Sequence, residues 1–182
     1  DAFAPLDAQY EMLAAAPGSH VTDAGEAHDV TYGPIHRFTK RPEASRRVLL
    51  TGHLDTVYPE DSAFTRCTWL GDDRLNGPGV ADMKGGLIVM LHALRAVEEA
   101  GLADDLGWEV LISSDEEIGS IGSGPALADA AGRAHIGLTY EPALADGTLA
   151  GARKGSGNFT LVVDGRAAHA GREFDKGRNA VW

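Results

Sequence analysis

Three consecutive carboxylates follow a run of β-forming residues near the middle of the chain. The segment EVLISSDEEIGSIGSG, residues 109 to 124, places Asp115, Glu116 and Glu117 after that run and follows them with glycines, not with lysine or arginine. Either water or a bound cation must therefore balance these charges. A pair such as Glu116 and Glu117 is usually a solvated turn, but two adjacent carboxylates can also divide their roles, one binding a metal and the other transferring protons.

A histidine and an aspartate lie two residues apart in the segment GHLDTVYP. Because side chains at that spacing project to the same side of an extended segment, His53 and Asp55 are expected to meet. They form either a hydrogen-bonded surface pair or a metal-binding imidazole whose second ring nitrogen donates to a carboxylate. The motif alone does not decide between the two.

Two further carboxylates stand in positions that are unusual for an acidic residue. Asp82 in GPGVADMKGG either caps the helix that follows it or, on a loop rich in glycine, bridges two cations. Glu141 ends an apolar strand in LTYEPA, where an unpaired carboxylate would be costly to bury. A bound cation would remove that cost.

The elements that must position these residues alternate between strands and helices. The helix over 83–101 is the clearest, because Leu87, Met90, Leu91, Leu94 and Val97 share one face and Gly101 follows it. Turn residues predict a hairpin over 67–79. The remaining predicted elements are helices over 4–16 and 124–132 and strands over 33–41, 46–52, 108–114 and 135–141.

This alternation predicts an α/β fold with a largely parallel, mixed sheet flanked by helices. The carboxyl ends of parallel strands lie on one edge of such a sheet, where ligand sites form. His53, Glu116 and Glu141 each come at or just after the end of a predicted strand, and Asp82 precedes the clearest helix. The topology therefore predicts that these separate segments converge in space.

Composition limits the classes of partner. The 182 residues contain 43% hydrophobic residues, enough for one globular domain and part of a second. A formal net charge of −11 argues against a nucleic-acid partner or an anionic membrane surface.

No apolar run spans a membrane and no signal peptide opens the chain, so we expect a cytoplasmic protein, although the start at Asp1 without Met leaves room for a removed leader. A single cysteine, Cys67, excludes an internal disulfide and a cysteine-rich zinc cluster.

Five ordered motifs together carry a specific resemblance. GHLDTVYP, NGPGVADMKGG, SSDEEIGSIGS, TYEPA and VDGRAAHAG resemble the M20 family of co-catalytic zinc hydrolases, and most closely its glutamate-carboxypeptidase-like branch. The resemblance spans roughly residues 45 to 182. It implies a zinc-exopeptidase-like catalytic part over 1–153 and, over 154–182, the start of an α+β lid or dimerisation domain, with a first lid strand near Asn158 to Val163.

The same resemblance implies a metal centre with two Zn²⁺, for which Co²⁺ or Mn²⁺ could substitute. His53 and Glu141 would hold one zinc, Asp82 would bridge both, and Glu117 would bind the second. In this family the bond after the bridging aspartate is commonly cis, which predicts a cis peptide between Asp82 and Met83.

The catalytic residues that the resemblance implies are Glu116 as general base, Asp55 as the residue that orients His53, and His169. In dimeric relatives the histidine matching His169 reaches the partner's active site and stabilises the oxyanion, which implies a homodimer; without the resemblance, His169 reads as a turn histidine. The implied activity is hydrolysis of amide bonds in small peptides or N-acyl amino acids, of carboxypeptidase or deacylase type. Because position 141 is Glu and not Asp, the chain resembles the carboxypeptidase and deacylase members more than it resembles the aminopeptidases.

One family feature has no match in this chain. Family members place the last zinc ligand, a histidine, near the end of a much longer chain, so we expect the 182 residues to be a fragment that is inactive in isolation. One alternative is a non-catalytic relative that serves as a binding or dimerisation module. Another enzyme class that uses a lone nucleophile, Ser113, Ser114 or Cys67, is disfavoured because no Gly-x-Ser-x-Gly elbow or matched base is present.

Overall fold

The structure is a computed structural model that describes residues 2–152, 154, 155, 157 and 159–181. The chain divides into two compact units, one formed by Asp1–Gly18 with Thr31–Ala150 and the other by Ser19–Val30 with Gly151–Trp182. The predicted boundary of the catalytic part, residue 153, lies outside the described residues, and the division into a catalytic part and the start of a lid stays a prediction.

The described residues form nine strands and two α-helices. The helices are α1 (Gly85–Glu99) and α2 (Gly124–Arg133), and an irregular helical turn, Val80–Lys84, precedes α1. Short 3-10 turns cover Ala4–Leu6 and Phe174–Lys176. The strands are β1 (Gln9–Leu13), β2 (Gly18–Val21), β3 (Ala27–Val30), β4 (Ile35–Lys40), β5 (Arg46–His53), β6 (Thr68–Trp69), β7 (Leu75–Asn76), β8 (Leu106–Ser113) and β9 (Ile136–Thr139).

The first unit is built on a five-stranded mixed sheet in the order β1-β4-β8-β5-β9. β5 runs parallel to both β8 and β9, whereas β4 pairs antiparallel with β1 and β8. In register, His53 lies opposite Ser113, and Thr51 lies opposite Thr139. The predicted α/β class with a mixed sheet is confirmed, and its parallel part carries the strand ends that the sequence singled out.

Apolar residues on both faces hold the central strands in place. On one face, α1 buries Leu87, Met90, Leu91 and Leu94, as its spacing predicted, against Trp108 and Val110 of β8 among others. On the other face, Ala130 of α2 packs with Ile35, Leu49 and Leu111. Since β5 and β8 are covered on both sides, their residues are apolar in runs and do not alternate. This packing fixes the strand ends on which the polar residues stand.

The predicted helix over 4–16 is wrong. Residues Ala4–Leu6 form a single 3-10 turn that ends at Asp7, and Gln9–Leu13 form β1 at the edge of the sheet. Tyr10 lies opposite Phe38 of β4, with their ring centroids 5.0 Å apart. The residues are good helix formers locally, but pairing with β4 outweighs that weak preference.

The predicted hairpin and the predicted lid strand have different outcomes. The predicted hairpin over 67–79 is confirmed, because β6 and β7 pair antiparallel around Gly71, which has a φ of 88°. The predicted lid strand is not formed: residues 159–163 belong to no strand, and Asn158 lies outside the described residues. A strand needs a hydrogen-bonding partner, and residues 159–163 pair with none of the described strands. No helix in the described part of the chain is long and apolar enough to cross a membrane.

Candidate metal centre

His53 is the last residue of β5 and has only 1% of its surface exposed. Its Nδ1 lies 3.1 Å from the backbone oxygen of Asp55 and 3.3 Å from the Oδ1 of the same residue. Because a carbonyl oxygen can only accept, this contact favours a proton on Nδ1 and leaves the lone pair on Nε2. The residue predicted to orient His53 therefore lies where it can do so.

Carboxylates surround the free nitrogen of this imidazole. The Nε2 atom of His53 lies 3.3 Å from Asp82 Oδ1, 3.7 Å from Glu141 Oε1 and 3.8 Å from Glu116 Oε2. One ligand atom each from His53, Asp82 and Glu141 all lie within 4.8 Å of one another. The structure thus brings three of the four predicted metal ligands into a single group.

Three different elements deliver these side chains to one sheet edge. β5 ends at His53, β9 ends two residues before Glu141, and the turn before α1 holds Asp82. Parallel strands end on the same side, so the first two meet without any special loop. The bond between Asp82 and Met83 is cis, as the family resemblance implied.

The group differs from an ordinary network of ion pairs in its charge. In the described residues, the ion pairs of Asp55, Asp82, Glu116 and Glu141 involve only His53 and no lysine or arginine. Burial and a hydrogen bond with Asp82 raise the pKa of Glu141 to about 7. Both effects disfavour the ionised form of this carboxyl group.

The pKa values of His53 and Glu117 are raised as well. Burial disfavours the charged form of His53, but the carboxylates of Glu141 and Asp55 outweigh it and raise its pKa. Burial, and then the charge of Asp82, raise the pKa of Glu117. A divalent cation among these groups would favour their metal-binding forms, the neutral imidazole and the ionised carboxylates.

Glu117, the fourth predicted ligand, is not in the three-residue group. It lies on the loop after β8, and its backbone N–H donates to Asp55 Oδ2 at 2.9 Å. Glu116, the predicted base, is half-exposed beside His53. The aspartate predicted only to orient the imidazole thus also anchors the loop that carries both glutamates.

His169 lies in the second compact unit. Its side chain is exposed, and its Nδ1 accepts the backbone N–H of Gly171 at 3.2 Å. That contact is local, as in a turn histidine. The predicted part of His169 in oxyanion stabilisation stays a prediction.

Sequence reasoning missed two residues that support the site. The thioether of Met83, which is fully buried, accepts the backbone N–H of His53 at 3.1 Å. The ammonium of Lys84 donates to the backbone oxygen of Leu54 at 2.8 Å and so ties the Asp82 turn to the end of β5. Met83 and Lys84 are the two residues that follow Asp82 in the motif ADMKGG, which was the available signal.

The donor set fits a transition-metal site. One imidazole nitrogen with several carboxylate oxygens is a combination that zinc accepts, and the second imidazole nitrogen is held by a neighbouring residue, as is usual for a metal-binding histidine. A mixed α/β sheet with this group at the ends of its parallel strands defines a candidate metal-binding domain.

The comparison with protein families agrees with this class. The family described as peptidase family M20/M25/M40 matches residues 49–170. The match covers more than half of the chain, which therefore belongs to this family. The predicted resemblance is confirmed.

Curated relatives carry two kinds of name. Carboxypeptidase G2 of Pseudomonas sp. (strain RS-16) is 36% identical over 137 residues, which cover 75% of this chain and 33% of that protein. Acetylornithine deacetylase of Erwinia tasmaniensis is 29% identical, over 97% of this chain and 47% of that protein. The chain thus spans between a third and a half of the length of these relatives.

A solved structure supports the fold. An M20 family metallo-carboxypeptidase, Sso-CP2 from Sulfolobus solfataricus, superposes with a TM-score of 0.57 at 16% identity, covering 80% of this chain and 31% of that one. At this identity the likeness shows the shared fold alone. It agrees with the mixed sheet described above.

Proposed function

We propose that the protein is a metal-dependent hydrolase that cleaves amide bonds in small peptides or N-acyl amino acids. The observation that carries the proposal is the convergence of His53, Asp82 and Glu141 within 4.8 Å, without a lysine or arginine paired to them in the described residues. The names of the relatives, a carboxypeptidase and a deacetylase, support amide hydrolysis of these two types.

The proposed centre holds two Zn²⁺, with Co²⁺ or Mn²⁺ as possible substitutes. His53 and Glu141 would hold the first, Asp82 would be shared, and Glu117 would turn its carboxylate toward the second. Bound at this position, the ions would polarise a substrate carbonyl and lower the pKa of a bound water.

The remaining chemistry belongs to the side chains of this chain. Asp55 holds His53 by its Nδ1 and keeps Nε2 directed at the centre. Glu116, whose Oε2 lies 3.8 Å from that Nε2, would take the proton from the attacking water and deliver it to the leaving nitrogen. A carboxylate that is not itself a ligand can do both.

The proposal also covers the assembly and location of the protein. We propose a homodimer in which His169 acts across the interface, a lid that begins at residue 154, a location in the cytoplasm and no nucleic-acid or membrane partner. A non-catalytic binding or dimerisation module is not favoured, because Glu116 lies beside the ligand group where a base is needed.

The deciding experiment combines metal content with one substitution. We expect about two zinc ions per full chain by elemental analysis, and hydrolysis of N-acyl and C-terminal glutamate substrates. Glu116→Gln should lower kcat by about 10²- to 10⁴-fold and leave the metal content unchanged. Absence of bound transition metal under zinc-replete conditions would overturn the proposal.

A further inference from the structure

Asp115 is a buried carboxylate to which the proposed chemistry gives no part. It is 1% exposed and directly precedes Glu116 and Glu117. Its Oδ2 accepts the backbone N–H groups of Gly122 at 2.7 Å and Ser123 at 3.0 Å. A polar group at such depth is costly to bury unless hydrogen bonds compensate it, and here two backbone donors do so.

These hydrogen bonds close a loop that begins with the two glutamates. The backbone oxygen of Asp115 accepts the N–H of Ser120 at 2.8 Å, and that of Glu116 accepts the N–H of Gly119 at 2.8 Å. Gly119 and Ser120 both have positive φ values, 99° and 53°. The Asp115 side chain spans the closed end, so the loop over 115–123 has one carboxylate as its internal support.

Contacts with residues outside the loop also hold it, at Gly122 behind and at Glu117 in front. Behind it, the backbone oxygen of Gly122 accepts the N–H of Ala16 at 2.8 Å, and a Cβ atom at Gly122 would clash with the ring of Tyr32. In front, the N–H of Glu117 donates to Asp55 Oδ2 at 2.9 Å. Contacts on both sides leave the backbone beneath the two glutamates little room to shift.

We propose that Asp115 is a positioning residue that sets the direction of Glu116 and Glu117. Its carboxylate holds the loop so that Glu116 stays beside His53 and Glu117 can reach the second metal position. The inference rests on the proposed function, which makes one glutamate the base and the other a ligand. Asp115 itself touches neither metal nor substrate.

The test compares the two zinc affinities in substituted full chains. Chelator competition measures each affinity, and hydrolysis measures kcat and KM. Asp115→Ala should weaken the second zinc by about 10- to 100-fold, the range for loss of a residue that orients a ligand, and leave the first unchanged. In the same variant kcat should fall with KM unchanged. Asp115→Asn, which keeps one acceptor oxygen, should recover part of both losses.

A second variant reaches the same loop from the other side. Gly122→Ala forces a methyl group against Tyr32 and should reproduce the selective loss of the second zinc while Asp115 is intact. If Asp115→Ala does not fold, Gly122→Ala and Asp115→Asn carry the comparison.

Glu98→Gln is the matched control, because Glu98 is also a carboxylate that accepts partly buried hydrogen bonds but lies at the far end of α1. It should lower stability and leave both zinc affinities unchanged. Equal zinc affinities in the Asp115 variants and in this control, at a matched free energy of unfolding, would show that Asp115 is only structural and overturn the inference. Wild-type protein that binds no zinc would overturn the proposed function and this inference with it.

Discussion

Two sets of partly buried carboxylates lie at opposite ends of α1 and are balanced in different ways. At the carboxyl end, Glu98 accepts hydrogen bonds from Trp108 Nε1 at 2.8 Å and from the guanidinium of Arg41, and Lys40 lies 3.5 Å away. At the amino end, Asp82 and Glu141 form ion pairs with an imidazole and with no lysine or arginine among the described residues.

The two environments move the carboxyl pKa values in opposite directions. The hydrogen bond from Arg41 outweighs burial and, with that from Trp108, lowers the pKa of Glu98 to about 2. Burial and the neighbouring Asp82 raise the pKa of Glu141 to about 7. A carboxylate that has a permanent cation stabilises the fold, whereas one without a cation is suited to bind a removable one.

The largest expected difference between the two ends is in metal affinity. Loss of a residue that supports a metal ligand lowers metal affinity by roughly 10- to 100-fold. Glu141→Gln removes a proposed ligand itself, so zinc affinity should fall by more than this. Glu98→Gln should leave it unchanged. Isothermal titration of both variants with zinc measures the difference, and equal affinities would show that the amino end of α1 is not the metal centre.

Metal removal should destabilise the protein through the amino end alone. Zinc at 100 to 1,000 times its dissociation constant should raise the free energy of unfolding by about 3 to 4 kcal/mol, because only the folded chain assembles the ligands. Denaturant unfolding with zinc and with a chelator measures this gain. Glu98→Gln should keep the gain and Glu141→Gln should lose the share that comes from the first zinc; an undiminished gain in Glu141→Gln would place that zinc elsewhere.

In the metal-free protein, changing glutamate to glutamine should shift the free energy of unfolding in opposite directions at positions 98 and 141. Glu98→Gln leaves Arg41 and Trp108 with a weaker acceptor and should lower the free energy of unfolding by about 1.5 to 3 kcal/mol. Glu141→Gln removes a negative charge from an unneutralised group and should raise the free energy of unfolding. Urea unfolding in the presence of a chelator compares them, and a loss in both variants would contradict the contrast.

The candidate metal centre was more accessible to sequence reasoning than the support around it. His53 and Glu141 could be brought together because both follow strands predicted to be parallel, and such strands end on one edge. The strand β1 was missed because its pairing with residues about 26 positions away leaves no local signal, as for Tyr10 and His36.

Glu98 and Asp115 were missed for a related reason. Glu98 stands in AVEEAG, which reads as an exposed helix end, and only the fold brings Arg41 to it across 57 positions. Asp115 reads as one of three equivalent acids, and its part depends on backbone donors seven and eight residues further on. Side chains that serve the backbone show no pattern of their own, whereas the proposed ligands at strand ends do.

The smallest expected effect is the acid dependence of the carboxyl end of α1. The pKa of Glu98 is lowered from 4.5 to about 2, so the unfolded chain binds the proton more readily than the folded one. Its stabilisation is therefore present above pH 4.5 and lost as the pH falls toward 2. Between about pH 5 and pH 3 the wild-type protein should lose about 1 to 2 kcal/mol more of its free energy of unfolding than Glu98→Gln. Urea unfolding at these pH values, in metal-free protein, measures the difference; parallel losses would show that Arg41 and Trp108 do not hold Glu98 ionised in the fold.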